Sequence, residues 1–155
     1  MTIPWAYLNK YAATIDALKD YNSMKHILLS YSDDTTEARE HLISVRTPTL
    51  TWSAPGSQNP HAEEGKIAFT LDLIDVVTER YQRALEYMAW FQPAWDAIME
   101  EERQILSEFY LREGEYDGKA DVIQRLCDKL RIERSAVYRR KDKAVARLAL
   151  LLYGK

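Results

Sequence analysis

The chain has 155 residues, 46% hydrophobic and 29% charged, with a formal net charge of −3 at pH 7, proportions that fit one compact domain or a small domain with an appendage. No uncharged apolar run is long enough to cross a bilayer, and the opening Met-Thr-Ile-Pro-Trp-Ala-Tyr lacks the pattern of a secretory signal, so a cytoplasmic location is expected. A single cysteine, Cys127, rules out an internal disulfide, and the scattered His26, His41 and His61 offer no ligand spacing, so neither a metal nor another cofactor is expected.

Gly and Pro number only five each among long stretches of good helix formers, which predicts an all-α chain. Pro4 fits the first turn of a helix burying Trp5, Leu8, Ala12, Ile15 and Leu18. The pattern resumes through Met24, Ile27, Leu28 and Tyr31, with a break expected at Tyr21-Asn22-Ser23 and an end at Ser32-Asp33-Asp34. A second short helix is expected from Thr36 to Val45, capped by Asp34 or Thr35. Residues 46–61 contain three prolines and a glycine and read as irregular.

Helix resumes near Ala62, where Ile67, Leu71, Ile74, Thr78, Tyr81, Leu85 and Met88 form a heptad seam. Each buried Leu or Ile contributes about 1.5–3 kcal/mol, so the seam must be covered. Two partners fit: the first helix, as an intramolecular hairpin, or a second subunit, as a coiled-coil homo-oligomer through residues 67–88. Trp90, Phe91 and Trp95 are expected to form a hinge core at Pro93. Residues 1–91 thus read as a helical hairpin or oligomerisation region, and residues 93–155 as a separate unit.

That second unit carries the functional pattern. From Lys119 to Lys155 there are eleven Lys or Arg against four Asp or Glu, a balance of +7 that leaves −10 for the rest. A basic tail on an acidic body points to a polyanionic partner. A first helix should bury Trp95, Ile98, Met99, Ile105, Leu106 and Phe109 and stop near Gly114; a second, from Ala120 or Asp121, should bury Val122, Ile123, Leu126, Cys127 and Leu130. Cys127 is small enough for two helices to cross steeply, and Ile132 and Val137 pin the turn, as a helix-turn-helix requires.

The third helix, starting near Glu133 and running to Leu152, should turn Val137, Ala144, Leu148 and Leu151 or Leu152 inward. That leaves Arg134, Ser135, Ala136, Tyr138 and Arg139 exposed as candidates for reading base edges in the major groove of double-stranded DNA. Arg suits the two acceptors of guanine, and the Ala methyl suits that of thymine. Arg131, Arg140, Lys141 and Lys143 are placed as flexible cations for phosphates.

The run Arg103-Gln104-Ile105-Leu106, then Phe109-Tyr110, Leu130-X-Ile132, Val137-Tyr138-Arg139-Arg140 and Lys143-Ala144 resembles the fourth region of bacterial sigma factors. It more closely resembles the sigma-like C-terminal modules of phage transcriptional regulators of the ArpU and RinA type. The resemblance implies a three-helix DNA-binding unit and a regulator of transcription encoded by a phage or prophage. It departs at Arg131, where the turn usually has Gly, and in the long link Glu113–Lys119.

Two other readings use the same residues: a DNA-packaging factor of the small-terminase kind, and a sigma-like interaction module contacting RNA polymerase. An enzyme is not expected. Glu100, Glu101 and Glu102 are consecutive on a helix and fan apart as a solvated face, and no nucleophile–base arrangement or phosphate-cradling loop is present in the sequence.

Overall fold

The structure, a computed structural model, describes residues 9–46, 60–112 and 118–154. Every element among them is helical: α1 (Lys10–Arg46), α2 (Pro60–Ala97), α3 (Glu100–Leu106) continued by a π-helical turn (Ser107–Leu111), α4 (Lys119–Leu130) and α5 (Arg134–Tyr153). The all-α expectation is met, with two long helices ahead of a three-helix assembly. The expectations for Pro4, Trp5 and Leu8, for residues 47–59 and for residues 113–117 lie outside the described residues.

Where two helices were expected at the start, α1 is one. The polar residues that seemed to break it have other partners. Tyr21 packs its ring 5.5 Å from that of Phe91 and donates its hydroxyl to Gln92, while Asn22 Nδ2 donates to the carbonyl of Leu111 at 2.6 Å. Further on, the Thr35 and Thr36 hydroxyls donate to the carbonyls of Tyr31 and Ser32, one turn back in the same helix, instead of capping a new one.

The chain divides into two compact units, Met1–Met24 with Tyr87–Lys155, and Lys25–Glu86. The units part at Met24/Lys25 and at Glu86/Tyr87, whereas the sequence pattern places one boundary at residues 91–93.

In the unit of residues 25–86, the two helices run antiparallel, since Tyr31 stacks on Tyr81 at 3.9 Å while His41 Nδ1 lies 3.1 Å from Thr70 Oγ1. This is a helical hairpin. Its seam on α1 is Leu28, Tyr31, Thr35, Ala38 and Leu42; on α2 it is Ile67, Thr70, Ile74, Val77, Tyr81 and Ala84. Steps of three and four alternate on both helices, which keeps one stripe facing the partner. Three of the seven expected seam residues are therefore displaced. Ile67, Ile74, Tyr81 and Met88 face inward, but the second row is Thr70, Val77 and Ala84, while Leu71, Thr78 and Leu85 are exposed. Thr70 is buried at little cost, because its hydroxyl donates to the Lys66 carbonyl at 2.9 Å.

The other unit has two joined cores. The larger gathers Ala17 and Leu18 of α1, Phe91, Ala94 and Trp95 of α2, Leu106 of α3, and Ala144, Val145, Leu148 and Leu152 of α5. The smaller gathers Ile105, Val122, Leu126 and Val137, with Phe109, Cys127, Leu130 and Ile132 against it.

Pro93 is not a hinge, for α2 runs through it to Ala97. A proline inside a helix costs about 3 kcal/mol. Here the neighbouring Phe91, Ala94 and Trp95 are all buried and hold the turn, while Pro93 itself is exposed. The chain instead turns after Ile98. The backbone of Met99 is extended, and its N–H donates to the Glu102 carboxylate at 3.0 Å, which fixes the start of α3. The first helix of the C-terminal assembly stops at Leu111, ahead of the expected Gly114, and Arg112 is extended.

Candidate nucleic-acid interface

The connection from α4 to α5 is three residues long, Arg131-Ile132-Glu133. Arg131 is left-handed, with φ 53° and ψ 47°, and is the only non-glycine residue at positive φ among those described. An Arg in that conformation loses about 1 kcal/mol relative to Gly. The gain is a closed helix end: the N–H groups of Arg131 and Ile132 both donate to the carbonyl of Cys127. Ile132 then packs on the small core and Val137, fully buried, holds the first turn of α5 against it. Cys127, Ile132 and Val137 thus meet in one small core beneath the turn.

At the start of α5, Glu133 takes the N-cap position with an extended backbone and makes no side-chain cap bond. The Ala136 and Val137 N–H groups both donate to the Glu133 carbonyl, and exposed Arg131 and Arg134 lie beside this positive end of the helix dipole.

The nine residues singled out in the sequence do not form one surface. Ser135, Arg139 and Lys143 are exposed and four residues apart, so they line one outward stripe, with half-buried Ala136 at its edge. Arg131, Arg134, Arg139 and Lys143 have no ion-pair partner among the described residues. Arg134 and Tyr138, also exposed, flank the stripe on the side opposite Ala136. Lys143 also borders a shallow cleft that it shares with Glu101, Glu102 and Arg140.

Arg140 and Lys141, by contrast, are occupied. Arg140 forms an ion pair with Glu101 of α3. Lys141 is only 18% exposed, with its ammonium 5.6 Å from the Phe109 ring, 5.7 Å from the Tyr138 ring and 3.2 Å from Asp142 Oδ1. These cations brace the fold.

Sequence reasoning missed three participants. Glu101 and Glu102 are not a free solvated face, since Glu101 holds Arg140 and Glu102 reaches Arg147 at 3.2 Å, which ties α3 to α5. The third is Tyr11, whose hydroxyl donates to Asp142 Oδ1 at 2.7 Å. That bond, helped by Lys141, holds the Asp142 carboxyl below its ordinary pKa. Nothing in the local sequence signals this contact, because its partners are 131 residues apart.

The outward stripe of α5 carries Arg139 and Lys143 without ion-pair partners among the described residues, with Glu133 at its N-terminal end and, beside Lys143, both Asp142 and the Glu101 and Glu102 of the shared cleft. Compared with known proteins, the chain matches no family, no curated protein and no solved structure. Among the described residues no helix is long and apolar enough to cross a membrane.

Proposed function

We propose that the protein is a sequence-specific double-stranded DNA-binding regulator of transcription, encoded by a phage or prophage, that lays the N-terminal half of α5 in the major groove. One observation carries the reading: the second helix of a tight helix-turn-helix presents Ser135, Arg139 and Lys143 on one stripe, with both cations unpaired. Arg139 is the residue for a bidentate contact to guanine; Arg131 and Lys143, at the two ends of the stripe, suit phosphates. The sigma-like pattern of the sequence supports a role in transcription.

The test is a nuclease footprint of the full chain on its own neighbouring genomic DNA, followed by titration of the protected duplex against a scrambled one. Protection of a defined site and a preference that survives moderate salt are expected; equal binding to both duplexes at every salt would overturn sequence specificity.

The interaction-module reading has one observation in its favour. Leu150 and Leu151, toward the far end of α5, are exposed, and an apolar end on a reading helix suits a protein partner. A footprint that appears only when RNA polymerase is added would favour it.

A further inference from the structure

The hairpin of residues 25–86 carries an apolar stripe that its own seam does not use. Phe69, Leu73 and Val76 lie four and three residues apart on α2, and all three are exposed, Phe69 by 69%. They sit beside the seam, not on it. Phe69 and Leu73 line a groove of about 410 Å³ together with Asp34, Glu37 and His41 of α1 and Arg80 of α2. Just beyond, His26, Ile27 and Ser30 prolong the same side of the hairpin past Tyr31 and Val77. Exposed contiguous apolar surface of this kind marks an interaction site.

Its charges say what fits there. On α2 the stripe is flanked by cations, because Lys66, Leu73 and Arg80 are seven residues apart and share a face. The α1 wall opposite is acidic, with Asp34 and Glu37. Neither Arg80 nor Lys66 nor Glu37 has an ion-pair partner among the described residues. An acidic wall repels a nucleic acid. What it attracts is an apolar helix with basic ends, and the α2 stripe of the same protein is such a helix. A surface holding both halves of a complementary pair matches a copy of itself turned about a two-fold axis.

We propose that two copies of this chain associate through this groove, each placing Phe69, Leu73 and Val76 of α2 against the α1 wall of the other, with Arg80 of one copy facing Glu37 and Asp34 of its partner. The result is a four-helix bundle of two hairpins, with the internal seam intact inside each. The inference stands on residues 25–86 and is read by mass, so it holds or fails apart from the DNA-binding reading.

The experiment is light scattering on the full chain over a wide concentration series, with circular dichroism beside it. The parent protein is expected at twice the chain mass. Leu73→Glu should run as a monomer with unchanged helicity, because Leu73 is exposed within its own chain. Arg80→Glu should weaken dimerisation about tenfold or more by setting like charges together. Adding Glu37→Arg to Arg80→Glu should restore it, a recovery that a folding defect would not give. A monomeric parent at all concentrations would overturn the proposal, as would a dimer indifferent to Leu73→Glu or a double variant no tighter than Arg80→Glu alone.

Discussion

Arg139 and Lys141 are two residues apart on α5 and carry the same charge, yet the structure predicts opposite consequences for removing them. Arg139 is exposed and unpaired on the outward stripe. If it binds guanine through two hydrogen bonds, Arg139→Ala removes about 1–3 kcal/mol of discrimination, roughly a 5- to 150-fold fall in the ratio of specific to scrambled binding. Its effect on folding should be within about 0.5 kcal/mol, as for an exposed side chain with no partner. Lys141 is pinned between the rings of Phe109 and Tyr138. Lys141→Ala should leave the binding ratio where it was and lower stability by about 1–2 kcal/mol, the upper part of the range for a cation over a ring because Lys141 is largely buried. Fluorescence anisotropy with the footprinted duplex and its scramble, at several salt concentrations, measures the first effect; urea unfolding measures the second. A binding ratio unmoved by Arg139→Ala, or moved more by Lys141→Ala, would refute the assignment of the reading stripe.

Three further outcomes follow from the geometry. Arg131→Gly should raise stability by about 1 kcal/mol in thermal unfolding, since the left-handed backbone at φ 53° suits glycine; a loss would mean that the Arg side chain holds the turn. Tyr11→Phe should cost about 0.5–1 kcal/mol near neutral pH, a modest figure because Tyr11 and Asp142 are both partly exposed. The folded pKa of Asp142 is lowered, so its contribution is present above the unfolded carboxylate pKa and is lost as pH falls through the folded one. Parent and Tyr11→Phe should therefore converge in acid, and a gap that widened there would contradict the bond. Finally, Ala84 is fully buried on the hairpin seam while Leu85 is exposed, so Ala84→Leu should destabilise by about 1–3 kcal/mol through overpacking and Leu85→Ala by less than about 0.5 kcal/mol. The reverse order would restore the seam read from the sequence.

The three helices of the C-terminal assembly were legible because their buried positions are large and apolar: Ile105, Val122, Leu126, Val137 and Leu148 announce their faces at helical spacing. The hairpin seam was half legible for the opposite reason. Thr35, Ala38, Thr70 and Ala84 are small or polar, so the inward row carries less hydrophobic signal than Leu71 and Leu85 beside it. Side chains of that size let two helices approach closely, a property that hydrophobicity does not register. On the candidate interface, Lys141 stands four residues after Val137 and three before Ala144, so the helical phase puts it on the core stripe and not among the outward cations. That much was available from spacing. The ties from Glu101 to Arg140 and from Tyr11 to Asp142 were not, because each joins helices far apart in the chain.

Ala17 and Leu18 share a core with Leu148 and Leu152, and the Trp90 indole N–H donates to the carbonyl of Leu152. The helix that carries Arg139 thus rests on residues made more than a hundred positions before it and on others made in between. Its foundation is discontinuous, so a fragment starting at Pro93 would expose the apolar underside of α5 and should aggregate or stay molten instead of serving as a portable reading head. During translation this unit has to wait for its last helix, while residues 25–86, contiguous in the chain, can pair as soon as they emerge. Under the proposed DNA-binding reading, a change of base preference would have to come from point changes along one helical stripe, because residues 93–155 could not be transplanted as a unit.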